Sequence, residues 1–208
     1  VVRRQRQMCI RDSYTIVAKE QGLRSRAAFK LSQINRHYPL LHAKTKVVLD
    51  LCAAPGGWTQ VIGRTCGPQT QIIAVDILAI RSLGKRNITT IVGDITTDKC
   101  KADINRAIID TTDHANNGDR NSNKDKKDGT VDVVLHDGAP NIGASYDKDA
   151  FVQTELAVHA LRCATQHLRH MGSFVTKIYR SRDSASFQWV LQQLFRDVTT
   201  FKPKASRQ

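Results

Sequence analysis

The sequence predicts one doubly wound α/β domain. Short runs of Val, Ile and Leu alternate with segments whose apolar residues recur at helical spacing, and aspartates close those runs one after another. At 208 residues and 40% hydrophobic content, the chain is long enough for one substantial core. Strands that alternate with helices are joined by crossovers, which makes the sheet parallel and covers both of its faces.

The elements follow in chain order. From Ser13 to about Tyr38 the pattern is helical with a break near Gly22, and Ala28, Leu31 and Ile34 line one face opposite Arg24, Arg26 and Lys30. A strand is expected at 46–51, a helix at 57–65, strands at 71–76 (QIIAVD) and about 88–93, and a helix at about 97–110. After a gap come a strand at 131–136 (VDVVLH), a helix at about 149–170, a strand at 173–179 (SFVTKIY) and a helix at about 185–195. The run VTTF begins a further strand, so the sheet reads as unfinished and the C-terminal strands as truncated. Residues 111–130, TTDHANNGDRNSNKDKKDGT, hold almost nothing apolar and cannot bury enough surface to offset their ordering entropy; a disordered, solvated insertion is expected there.

The formal net charge is +13. Residues 3–13, RRQRQMCIRDS, back-translate in frame to what resembles a sequencing-library adapter, so residues 1–13 are set apart from the domain at 14–208. The remainder is still strongly basic, with 28 Lys and Arg against 18 Asp and Glu, which favours a polyanionic partner such as nucleic acid. Cys52, Cys66, Cys100 and Cys163 are widely spaced with no C-x-x-C pair, so neither a metal site nor a secreted disulfide framework is expected. No apolar stretch approaches the ~20 residues of a membrane span.

The stretch DLCAAPGGW, residues 50–58, turns out of the first strand. In an open parallel sheet, ligands bind beyond the carboxyl ends of the strands. Gly56 and Gly57 permit close backbone approach after Pro55, although a Pro-Gly turn alone is an ordinary turn. Asp50, Asp76, Asp94 and Asp137 are read as closing four consecutive strands and forming an acidic rim, with Asp76 positioned to accept ribose hydroxyls. The rim disfavours a pyrophosphate, and G-x-G-x-x-G is absent, which argues against an NAD-dependent oxidoreductase. A cationic nucleoside without phosphate, S-adenosylmethionine (AdoMet), is the expected ligand.

The methyl acceptor is read from the fourth strand end. It carries D-G-A-P-N, neither the N-P-P-Y-like sequence of amine methylation nor a Pro-Cys pair for attack on pyrimidine carbon, which leaves a hydroxyl. Lys177, inside SFVTKIY, is the candidate base if burial and a neighbouring cation lower its proton affinity; the alternative is a lysine snorkelling at a strand end. Asp137 can aim that amine, but its charge opposes the shift.

Taken in order with SRAAFK upstream, the words DLCAAPGGW, AVDI, GDIT, HDGAPN and FVTKIYRS resemble the FtsJ (RrmJ) family of AdoMet-dependent RNA ribose 2′-O-methyltransferases, over about Ser13 to Arg207. The resemblance implies a Rossmann-like class I methyltransferase fold. It implies catalytic roles for Lys30, Asp137 and Lys177, and a fourth catalytic residue, a glutamate, in a strand beyond the K-P-x-x-S-R segment with which this sequence stops. It also implies AdoMet contacts at Gly56, Trp58, Asp76, Asp94 and Asp137. Lys30 on its own would read as a solvated helix residue or a phosphate contact.

Flanking words such as AKEQGLRSRAAFKLSQIN and DAFVQTELAVHAL resemble most the eukaryotic nucleolar branch acting on precursor large-subunit rRNA. That implies pre-ribosomal particles as partners, a nucleolar location, and no DNA or membrane partner. A cytoplasmic branch acting on the tRNA anticodon loop is the alternative, and a non-catalytic AdoMet- and RNA-binding assembly module is the alternative of another class. Arg24, Arg26, Arg180 and Arg182 are expected at RNA phosphates.

Overall fold

The structure is a computed structural model that describes residues 14–115, 130–139, 146–181 and 183–206. The adapter-like segment, most of the polar insertion, and Arg182 lie outside the described residues. Five strands form one sheet: β1 (Val47–Leu51), β2 (Gln71–Asp76), β3 (Ile88–Val92), β4 (Val131–His136) and β5 (Leu168–Thr176), in the order β3-β2-β1-β4-β5 with every pairing parallel. The helices are α1 (residues 14–20), α2 (Ala27–His37), α3 (Gly57–Thr65), α4 (Asp98–Ala115), α5 (Tyr146–His167) and α6 (Asp183–Leu194).

Period-two alternation along the strands sends successive side chains to opposite faces, and each face has its own core. Val48, Ile72, Val133 and Leu135 pack with Ala28 and Leu31 of α2 and Trp58, Val61 and Ile62 of α3. Leu49, Leu51, Ile73, Val75 and Val134 pack on the other side with Cys100, Ile104 and Ile108 of α4 and Ala160 and Ala164 of α5. Central β1 is buried along its whole length, as a parallel strand covered on both faces must be. All carboxyl ends therefore open on one edge.

Several expected boundaries move. Helix α4 runs to Ala115, five residues into the segment read as an insertion. Helix α5 stops at His167, earlier than the expected 170, and β5 starts at Leu168. Leu168 extends the helical spacing, which explains the misreading, but Val131 pairs with Leu168 and Val133 with Ser173, so β5 bulges between those contacts. The bulge turns on Met171, at φ 63°, and on Gly172, where an added Cβ would lie 3.2 Å from the Asp132 carbonyl. Strand β5 ends at Thr176, so Lys177 stands just past the strand and not within it.

VTTF is not a strand. Phe201 instead stacks on His37 with ring centroids 4.9 Å apart and meets Tyr38 edge-on at 5.9 Å, while the Ala205 amide donates to Gln33 Oε1 at 3.1 Å. Residues 201–205 follow the end of α2, where Phe201 makes its ring contacts while staying partly exposed.

The amino edge of the sheet is held by Asp132. Its Oδ2 accepts the Lys46 and Val47 amides at 2.7 and 2.8 Å, and its Oδ1 accepts Arg169 Nε. Asp132→Ala leaves two amides without their acceptor, so unfolding stability should fall by about 1–3 kcal/mol. Because the residue lies at the edge opposite the strand carboxyl ends, ligand affinity at those ends should stay unchanged; urea titration and calorimetry on one preparation check both.

Candidate active site at the carboxyl edge

Three elements distant in sequence converge on Asp137, the residue after β4. Lys30, in the first turn of α2, donates from Nζ to both carboxylate oxygens at 2.9 and 2.8 Å. Lys177, the residue after β5, donates from Nζ to the Asp137 carbonyl at 2.8 Å and lies 3.4 Å from Oδ1. The Lys177 amide donates to His136 O at 2.9 Å, extending the ladder one step past the strand. The structure thus brings Lys30, Asp137 and Lys177 into one cluster, with side chains 19%, 14% and 25% exposed, shielded yet reachable.

Charge and burial compete at Lys177. Burial lowers the proton affinity of its amine most strongly, the Asp137 carboxylate raises it, and the Lys30 ammonium lowers it further; the result lies below the ordinary lysine value. Burial wins over the carboxylate, a contest that spacing in the sequence left open.

The turn after β1 carries two left-handed residues, Cys52 at φ 57° and Gly56 at φ 99°, with a cis Ala54–Pro55 peptide between them. At Gly56 a side chain would meet Arg24 Nη1 at 3.0 Å and Ile80 Cγ2 at 3.2 Å; at Gly57 it would lie 2.3 Å from Ser25 Oγ. Helix α3 starts here with no side-chain cap from Gly56; the Thr59 amide faces the Asp50 carboxylate, and the Gly57 and Trp58 amides are the ones that suit a ligand. Ser25 Oγ is buried beside them with no hydrogen-bond partner.

The predicted acidic rim is only partly a rim. Asp76 Oδ2 accepts the Ala54 amide and Oδ1 the Leu78 amide, both at 2.8 Å, so this carboxylate shapes the loops while retaining spare lone pairs. Asp94 Oδ1 accepts the amide and hydroxyl of Thr96, at 2.9 and 2.8 Å, which holds its carboxyl below the usual range. Asp50 does not close its strand. It lies inside β1, 1% exposed, with Thr59 Oγ1 donating to it at 2.7 Å, and burial, reinforced by the nearby Asp137 and Asp76 charges, pushes its carboxyl up to about 7.

Two further readings change. The Trp58 indole is 5% exposed and donates to Ala27 O at 2.8 Å, so it serves the α2–α3 contact, leaving the residue's backbone at the first turn of α3 for a ligand. Arg24 is spent on main-chain carbonyls: Pro55 at 3.2 Å, Ser82 at 2.6 Å, and Arg81. It staples the loop after β2 onto the turn after β1, which is no phosphate contact. Arg26 stands at the N-cap position of α2, and Arg180 lies three residues beyond Lys177.

One residue of the site went unread in the sequence. His136, wholly buried, shares a 2.8 Å hydrogen bond between Nδ1 and Thr176 Oγ1, and burial pushes its imidazole down to about 4, so it is neutral. A histidine directly before the strand-closing aspartate, in HDGAPN, was the available signal.

The residues fit a sulfonium nucleoside carrying an amino acid. The uncapped amides suit an α-carboxylate, the orphaned Ser25 hydroxyl offers a further polar contact, and Asp76, Asp94 and Asp137 supply acceptors and negative charge.

Comparison with known proteins agrees. The profile of the FtsJ-like methyltransferases matches residues 23–208. The AdoMet-dependent rRNA methyltransferase Spb1 of Schizosaccharomyces pombe is 44% identical over 196 residues, covering 94% of this chain and 22% of that protein. A pre-rRNA 2′-O-ribose RNA methyltransferase of Dictyostelium discoideum is 45% identical over 196 residues, 94% of this chain and 21% of its own length. The chain therefore spans about a fifth of these relatives. A crystal structure from Plasmodium falciparum, assigned as a ribosomal RNA methyltransferase, superposes with a TM-score of 0.70 at 25% identity, covering 88% of this chain and 92% of that one.

The buried acid generates a stability prediction. Folded Asp50 binds its proton up to about pH 7, whereas an unfolded aspartate loses it near 3.9, so stability falls as pH rises between those values and is level above them. Asp50→Asn keeps an acceptor for Thr59 and removes the charge. It should be more stable than the parent at pH 8 by roughly 1–3 kcal/mol and lack the decline between pH 5 and 7, read by denaturant titration at each pH.

Proposed function

Since the chain belongs to the FtsJ-like methyltransferase family, we propose that its site transfers a methyl group from AdoMet to a ribose 2′-hydroxyl of precursor large-subunit rRNA. The single observation that carries the chemistry is the Lys30–Asp137–Lys177 cluster beside an uncapped glycine turn. The choice of precursor rRNA rests on the names of the relatives, and with it come pre-ribosomal particles as partners and the nucleolus as location.

A ribose hydroxyl is a poor nucleophile until a base takes its proton. Lys177 is suited to that task because its amine is neutral at lower pH than an ordinary lysine, and its grip on the Asp137 carbonyl aims it. Lys30 pairs with the Asp137 carboxylate and adds to the lowering of the Lys177 proton affinity, against the raising effect of that carboxylate. Bound AdoMet supplies the methyl group on a sulfonium centre. Gly56, Asp76 and Asp94 line the turn and strand ends that would hold it, with the Trp58 backbone at the start of α3. Arg26 and Arg180, and Arg182 by sequence, are the residues we assign to RNA phosphates, contacts that position a strand without reading bases.

Incubation of the full-length protein, which by resemblance carries the fourth catalytic residue, with methyl-labelled AdoMet and either precursor rRNA or tRNA, followed by digestion to nucleosides, should place label on ribose O2′ of the rRNA. Label confined to tRNA would overturn the substrate while keeping the chemistry, and AdoMet binding without transfer to either RNA would favour the non-catalytic module.

Lys177→Ala should reduce transfer to background with the AdoMet dissociation constant within a few-fold of the parent. The parent rate should rise with pH and level off below the ordinary lysine value of about 10.4, because activity needs the neutral amine. A parallel loss of AdoMet binding in the variant would mean that Lys177 is structural.

A further inference from the structure

Gln153 of α5 is wholly buried, although it belongs to a residue type usually found at surfaces. Its side-chain nitrogen donates to Gly138 O at 3.0 Å and to Lys177 O at 2.7 Å, one amide hydrogen to each. Both partners are carbonyl acceptors, so the nitrogen has to face them and the amide orientation is fixed by chemistry. Gly138 follows Asp137, and Lys177 carries the proposed base. One side chain therefore ties together the two segments that bear the reacting groups.

The tie sits where the sheet stops holding them. The β4–β5 register ends at His136 opposite Thr176, and one further main-chain bond, Lys177 N to His136 O, follows. Beyond that bond the spacing of the two segments depends, among the described residues, on side chains. Gly138 gives no slack, because a Cβ there would meet His136 Nε2 at 2.3 Å and Cys52 Sγ and Leu156 Cδ2 at 2.9 Å. Both amide hydrogens are used at the reactive strand ends, while the buried Oε1 has no hydrogen-bond partner, so the residue is kept for its two donors at a cost in stability.

We propose that Gln153 is a positioning residue that sets the spacing of the Asp137 and Lys177 main chains, and through them the contact between the Lys177 amine and Asp137. This rests on the methyl-transfer reading for its functional meaning. Lys177 faces Asp137 and His136 from the β4 end, Lys30 from α2, and Cys52 from the turn after β1, so a shift in its backbone alters a closely balanced set of charges.

The test uses Gln153→Leu and Gln153→Met, which keep roughly the side-chain volume and remove the donors; Met, the more adaptable, guards against loss of folding in Leu. With lysine carbons labelled, NMR follows the Lys177 titration in the unliganded chain, while melting and AdoMet affinity report folding. The Lys177 midpoint should move upward by about half a unit or more as the amine drifts toward solvent, with the acid limb of the rate profile moving alongside. The turnover number at neutral pH should fall about 10- to 100-fold, with AdoMet affinity within about threefold of the parent. A lower melting temperature with the Lys177 titration and rate profile unmoved would overturn the proposal, since a merely structural glutamine behaves that way. Absence of transfer by the full-length parent would sink the methyl-transfer reading instead, and the titration would still decide this one.

Discussion

The site depends on a single carboxylate being shared. Asp137 takes a bidentate contact from Lys30 and a looser one from Lys177, which reserves its main-chain carbonyl for the second amine. The asymmetry assigns the two lysines different tasks although their chemistry is the same. Lys30 is bound as an ion pair and balances charge, whereas Lys177 is held mainly by a neutral acceptor in a partly dry position where its own charge is penalised. Had the carboxylate faced Lys177 squarely, its attraction would have opposed the downward shift more strongly.

Bringing these groups together is the work of the topology. Strands β4 and β5 are neighbours in the sheet, so residues directly after them lie side by side, and α2 reaches the same edge by packing on α3 through Leu31, Trp58 and Ile62. The two edges of the sheet divide the labour. At the amino edge Asp132 saturates backbone amides and an arginine, leaving little for a ligand. At the carboxyl edge, helix α3 begins uncapped and Ser25 keeps an unused hydroxyl.

The strands and their order of appearance were legible because a parallel sheet buried on both faces requires continuous runs of Val, Ile and Leu. Lys30, Asp137 and Lys177 were legible through the words that surround them, since no periodicity links residues 107 or 147 positions apart. What stayed hidden was partner choice. Trp58 and Arg24 have side chains able to meet a ligand or RNA, and only the fold reveals that an α2 carbonyl and three loop carbonyls claim them first. Asp50 read as a rim residue because strand ends are uncertain by a residue or so, and one residue separates an exposed carboxylate from one sealed inside a parallel strand. The start of β5 was missed for a related reason: Leu168 continues a helical stripe that a bulge then diverts.

The contact between Gly57 and Ser25 sets how this chain can tolerate inherited change. A Cβ at position 57 would land 2.3 Å from the serine hydroxyl, so the segment leading into α2 rests on the backbone of the ligand turn through the Ser25 side chain. Five residues later that segment delivers Lys30. The lysine and the turn are thus gauged against each other through one short side chain, and a methyl added at position 57 would require Ser25 to shift. Change at position 57 has to be matched by a change in the Ser25 rotamer, since glycine has no smaller residue to retreat to. Variation in a lineage carrying this site should therefore collect on the outer faces of α4 and α6, far from the joint that holds its two halves in gauge.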